Sequence, residues 1–135
     1  MVKLSLIILS CLLMGFSNGS QITLTILIKN LDSNAGSVVL DFRDGNDKPV
    51  KGFSGTIVNK QSCIRVAGLR PGKYAFRYFH DRNNNKKMDT NRIGIPTEGY
   101  GFSNNAKGRF GPPVFKDMVF EVTKDATVIS TPVYF

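Results

Sequence analysis

Ile22, Leu24, Ile26 and Ile28 alternate with Thr23, Thr25 and Lys29, and only Leu27 interrupts the pattern. A period of two puts four aliphatic side chains on one face of an extended strand and leaves the other face to water. Such a strand needs a second layer to cover its apolar side. The same alternation returns in Val38, Leu40 and Phe42 against Ser37 and Asp41. It returns again in Tyr74, Phe76 and Tyr78 against Lys73, Ala75, Arg77 and Phe79. Turn chemistry in residues 31–36 makes the first two runs a hairpin or adjacent strands. Asp44-Gly45-Asn46-Asp47-Lys48-Pro49 has the composition of a loop. Shorter strands are expected over residues 53–58 and 62–66. Pro71-Gly72 then sets a tight turn into the aromatic run. Two more strands close the chain, around residues 115–122 and 127–135, where Pro132 marks an edge or a bulge. About seven short strands without a helical period predict an all-β, immunoglobulin-like β-sandwich.

The first residues are read differently. Lys3 precedes an apolar run from Leu4 to Phe16, and Ser17-Asn18-Gly19 supplies small residues for cleavage before Ser20. That order is a secretory signal peptide over residues 1–19, with the β-sandwich domain in residues 20–135. The run is shorter than the roughly 20 residues that span a bilayer. A looser reading makes Cys11 a lipoprotein cysteine. The mature chain is therefore expected to be exported, periplasmic or extracellular, with no transmembrane span after cleavage. It keeps one cysteine, Cys63, so it has no internal disulfide. Alternation with Ile64 and Val66 makes Cys63 a partly covered structural thiol. The formal charge of +8 is a solubilising surface or a means of meeting acidic partners. Export turns that reading away from nucleic acid and towards an envelope or extracellular protein, a glycan or an anionic surface.

The segment from Asp81 to Pro113 has no clear strand, and excursions of that length are either functional or disordered. Ile93, Ile95, Tyr100, Phe102 and Phe110 argue for an ordered loop packed on the sandwich. Asp81, Asn83, Asn85 and Asp89 fall at relative positions 1, 3, 5 and 9, with the backbone carbonyl of Lys87 at position 7. That spacing suits Ca²⁺, which takes six to eight oxygens. Glu98, folding back, supplies the carboxylate that Arg92 at position 12 does not. Lys86 stands at position 6, where an EF-hand has glycine. With three acidic groups, affinity is expected at about 10⁻⁴–10⁻³ M. The competing reading needs no ion, because Asp and Asn also close loops on their own backbone.

His80 beside Asp81 and Glu98 raises a hydrolase reading, but no serine stands in a nucleophile-elbow context. His80 continues the Tyr74/Phe76/Tyr78 face and reads as a histidine at the edge of the core. One histidine and one mature cysteine are too few for zinc. Tyr100, Phe102 and Phe110 with Lys107 and Arg109 form an expected binding surface, or a satellite core under the loop. The reading that follows is a non-enzymatic exported module that uses the 81–113 loop as its interaction surface. The alternative is an envelope structural or adhesion protein joined through sandwich edges or a Cys63–Cys63 bridge.

Leu69-Arg70-Pro71-Gly72-Lys73-Tyr74-Ala75, Phe79-His80-Asp81, the Asn83/Asn85/Lys87/Asp89 spacing, Gly94-Ile95-Pro96-Thr97-Glu98-Gly99-Tyr100-Gly101-Phe102-Ser103-Asn104-Asn105-Ala106 and Gly111-Pro112-Pro113-Val114-Phe115 form one long pattern. Together they resemble the bacterial family catalogued as domain of unknown function 2141. The resemblance implies an exported, prealbumin-like β-sandwich and carries no established activity. Lys86 departs from the glycine that family members commonly carry there.

Overall fold

The computed structural model describes residues 21–135. The signal-peptide and lipoprotein readings fall on residues outside these. Among the described residues, eight strands form two sheets. In the smaller, β1 (Ile22–Ile28) lies between β4 (Ser62–Leu69), antiparallel, and β8 (Ala126–Ser130), parallel. In the larger, β3 (Pro49–Gly55), β2 (Ser37–Asp44), β5 (Gly72–Asp81) and β6 (Tyr100–Phe102) follow in that order, and β7 (Phe120–Val122) also pairs with β5. No helix among the described residues is long and apolar enough to cross a membrane.

The alternating residues do what their period requires. Ile22, Leu24, Ile26 and Ile28 are buried, and the residues between them are not. They meet Ile64, Val66 and Leu69 of their own sheet and Val38, Leu40, Phe42, Phe76 and Tyr78 of the other. Each such aliphatic or aromatic side chain contributes about 1.5–3 kcal/mol by leaving water. Phe42 stacks on Tyr74 at 5.3 Å, and Phe76 meets Phe120 edge-on at 5.9 Å. Burial pushes the Tyr78 phenol above its ordinary value, so it stays neutral, 2.8 Å from Ser130 Oγ.

Five expectations change. β1 and β2 are neither a hairpin nor neighbours: they lie in opposite sheets, so residues 29–36 cross between layers. The third strand begins at Pro49, inside the expected loop, and ends at Gly55. Asp44 closes the β2–β3 turn, accepting the N–H groups of Lys48 and Asn46, which hold its carboxyl below its ordinary value. Residues 115–122 are not one strand: α1 (Phe115–Met118) is a single helical turn, and only Phe120–Val122 pairs with β5. The last strand stops at Ser130, and the chain returns past β6 through a Tyr100–Val133 bridge. Cys63, expected to be partly covered, is exposed on the outer face of the small sheet.

The long excursion contains a strand that was not expected, β6. β6 pairs Arg77, Tyr78 and Phe79 with Phe102, Gly101 and Tyr100. Glycine is needed at its centre, because a Cβ on Gly101 would run into the Tyr78 hydroxyl.

Candidate functional site

β5 delivers Asp81 as its last residue, 1 % exposed, and the following turn folds back on its carboxylate. Oδ1 accepts the N–H of Asn85 at 3.2 Å and Oδ2 that of Lys86 at 2.8 Å. Asn84 and Lys86 take left-handed conformations, φ 54° and 62°. The lysine thus adopts the backbone shape for which glycine is the usual residue. This brings the Asn83 and Asn85 side-chain amides to Asp89, donating to Oδ2 at 2.5 Å and Oδ1 at 2.7 Å. Asn83 Oδ1 accepts the N–H of Asn85, and Asn85 Oδ1 that of Lys87.

Glu98, 4 % exposed, closes the loop from the inside. Its Oε1 accepts the N–H of Arg82 at 3.1 Å, and its Oε2 that of Asp89 at 3.2 Å. Arg82 in turn donates to Asp32 Oδ2 and to the Thr97 carbonyl. Asp81, Asn83, Asn85 and Asp89 therefore share one turn, as their spacing requires. Glu98 is folded back on them, but onto backbone amides. Every oxygen of the three carboxylates already accepts an N–H. Among the described residues no three His, Cys, Asp or Glu side chains are placed to hold a metal ion.

His80 is fully buried. Its Nε2 lies 2.7 Å from the Ala35 carbonyl, which can only accept, so Nε2 carries the proton. Nδ1 lies 2.9 Å from the Tyr134 hydroxyl and 3.3 Å from Asp32 Oδ1. That hydroxyl itself accepts the Asp32 N–H, and burial pushes the phenol above its ordinary value. Both ring nitrogens are thus engaged, while Asp81 and Glu98 face the loop. The three side chains of the hydrolase reading hold three separate pieces of backbone.

The outer face of the large sheet carries a second feature. Alternate residues of β2, β5 and β6 point away from the core, and cross-strand register lines them up in rows. One row is Val39, Phe79 and Tyr100; the next is Asp41, Arg77 and Phe102; the third is Arg43 and Ala75. Met88 and Pro96 of the Asp81 loop wall this floor on one side, and Pro112, Pro113 and Phe115 wall it on the other. The resulting groove holds about 620 Å³.

Ser103 and its neighbours position the second wall. Buried Ser103 Oγ accepts the Phe76 N–H at 3.0 Å and donates to the Met118 carbonyl at 2.6 Å. Asn104 donates to the Asp117 and Val119 carbonyls, and Asn105 Oδ1 accepts from Ser130 Oγ and the Thr131 N–H. The expected binding residues are divided by this architecture. Tyr100 and Phe102 are half-buried, meet edge-on at 5.9 Å and line the groove. Lys107 and Arg109 border a smaller hollow of about 250 Å³ on the other side of β6. Phe110 lines neither and is fully exposed, so it is not a satellite core. Val39, Asp41, Arg43, Arg77, Met88 and Phe115 were not foreseen as site residues. The outward parity of β2 and β5 was the available signal.

These features define a two-sheet β-sandwich whose larger sheet carries a walled groove beside an acid- and amide-rich turn. Residues 26–130 match the family described as an uncharacterized protein conserved in bacteria, DUF2141. The chain belongs to that family. A search of curated proteins finds no match.

Proposed function

We propose that the chain is an exported, non-catalytic binding module that takes its ligand in the groove on the outer face of the large sheet. The groove carries this reading. Ligand sites are concave, typically about 300–1,000 Å³, and mostly apolar with a few polar groups. This one has an apolar floor and walls with charged groups at one end. The non-catalytic part is supported by the engagement of His80, Asp81 and Glu98 in holding backbone. Export is supported by the order of residues 1–19, and N-terminal sequencing of the native protein tests it by finding Ser20 first.

The groove is tested with N-phenyl-1-naphthylamine, a neutral apolar fluorophore. Single-site fluorescence enhancement is expected with the wild-type chain and its loss in Val39→Trp, which fills the floor. Absence of enhancement in the wild type overturns the reading.

A second reading, that the Asp81 turn takes Ca²⁺, is favoured by the convergence of Asn83 and Asn85 on Asp89. Rotating both amides turns their oxygens towards the space where their N–H groups now point. A ligand bound only by the native state raises its stability as RT ln(1 + [L]/Kd). A rise in Tm with millimolar Ca²⁺ that is absent in Asp89→Ala supports it. No rise retires it and leaves a turn closed by hydrogen bonds alone.

A further inference from the structure

We infer that the groove binds a small anionic amphiphile as a free monomer, its apolar body over Val39, Phe79 and Tyr100 and its acid group on Arg77. This rests on the groove being a binding site and goes on to name the chemistry of its ligand.

The two arginines at the charged end of the groove are engaged unequally. Arg43 Nε holds Asp41 Oδ2 at 2.8 Å and its Nη1 holds Asp47 Oδ1 at 2.9 Å. One guanidinium therefore answers both carboxylates, and the hydrogen bond to Asp41 holds it above its ordinary value. Arg77 adds only its Nε, at 2.9 Å, to the same Asp41 oxygen that Arg43 already occupies. Its two terminal nitrogens have no hydrogen-bond partner among the described residues, and its side chain is half exposed. A guanidinium with a free planar edge is matched by a carboxylate or phosphate, which accepts two parallel N–H bonds.

The apolar part has a fixed place relative to that edge. Arg77 and Phe79 are successive outward residues of β5, and Tyr100 lies opposite Phe79. The apolar row is thus one pleat away from the guanidinium. Met88 and Pro96 enclose one side of that row, and Pro112 and Phe115 the other. A ligand with an acid at one end and an apolar body satisfies both. A purely apolar ligand leaves Arg77 unanswered, and a cation meets carboxylates that already hold guanidinium groups. Recession between two walls suits a free molecule rather than a headgroup in a bilayer.

The test displaces N-phenyl-1-naphthylamine from the full mature chain with three competitors of equal chain length: dodecanoate, dodecyltrimethylammonium and dodecyl maltoside, each below its micellar concentration. Phosphatidylglycerol vesicles form a fourth arm. Dodecanoate is expected to compete best. Arg77→Gln is expected to weaken dodecanoate about tenfold or more relative to the uncharged dodecyl maltoside, as loss of a charge-assisted pair does. Equal competition by the cationic and anionic chains overturns the inference and leaves the groove reading standing. So does an Arg77→Gln chain that binds dodecanoate like the wild type. Competition by vesicles without dodecanoate overturns the free-monomer assignment. Failure of the fluorophore and of dodecanoate to bind, followed directly by calorimetry, overturns the inference and the groove reading together.

Discussion

Residues 82–99 and residues 106–114 belong to the same excursion away from the large sheet, and they are held in opposite ways. In the first stretch almost every turn of the backbone is fastened by a side-chain oxygen. Asp81 takes two N–H groups and Glu98 takes two more, while Asp89 gathers Asn83 and Asn85. In the second stretch Ala106 bonds back to Ser103, and beyond it the chain runs through Gly108, Gly111, Pro112 and Pro113 with Phe110 in water. One wall of the groove is thus a hydrogen-bonded turn built on a buried carboxylate. The other is a proline-stiffened arch hung from Ser103–Asn105 and α1. Exposed ion pairs do little for stability, whereas a buried acceptor with two backbone donors does much. The two walls should therefore respond very differently to single substitutions.

The largest effect is expected at Asp81. Removing its carboxylate in Asp81→Ala leaves the N–H groups of Asn85 and Lys86 without their acceptor. Hydrogen bonds to a charged group contribute about 1.5–3 kcal/mol each, so a loss on the order of 3 kcal/mol is expected in denaturant unfolding. The loop amides should also exchange faster with deuterium. A loss below 1 kcal/mol would mean that the turn is held by something other than Asp81. Next comes Ser103→Ala, which strips the Phe76 N–H and the Met118 carbonyl of one shared partner. An unsatisfied buried group costs about 1–3 kcal/mol. The same variant should loosen the second wall and weaken binding of the neutral fluorophore. A Ser103→Ala chain with unchanged binding would separate the arch from the groove.

A smaller and opposite effect is expected at Lys86. A non-glycine residue in the left-handed region carries a penalty of roughly 1–2 kcal/mol. Glycine removes that penalty but gives the unfolded chain about 0.4–1 kcal/mol more conformational entropy to lose. Lys86→Gly is therefore expected to stabilise the protein slightly, by about 0.5 kcal/mol, read as a higher denaturation midpoint at unchanged m. Destabilisation would show that the lysine side chain contributes contacts beyond its backbone shape.

What could be read from the chain before its structure follows the same division between local and distant causes. The inward face of β1 was legible because a period of two is a local property. Its neighbours were not, because β4 and β8 come from residues 62–69 and 126–130, and nothing in Ile22–Ile28 specifies them. Phe115–Met118 resembled a strand because its apolar residues are dense. Its single helical turn is fixed from outside, by Ser103 holding the Met118 carbonyl and Asn104 holding that of Asp117. The Asp81–Asp89 spacing announced a turn, and Glu98 does fold back onto it. Whether its oxygens meet an ion or amides is decided by where the Arg82 and Asp89 N–H groups point, which no spacing encodes. Arg77 looked like any solvent-facing strand residue. Its place in a groove arises only when β2 supplies Asp41 and two loops rise beside it.

The smallest effect is expected at Phe110, and it bears most directly on the comparison. The ring lies wholly in water and borders neither hollow. Exposed positions away from caps, cores and networks usually change stability by no more than about 0.5 kcal/mol. Phe110→Ser should therefore leave the unfolding midpoint and the affinity for the groove probe within error of the wild type, although it lies only a few residues from Pro112 and Pro113. If the variant instead melts several degrees lower, the ring packs against the protein in solution. The second wall would then be fastened by apolar contact rather than by the Ser103–Asn105 anchor alone, and the contrast between the two stretches would become one between polar and apolar fastening.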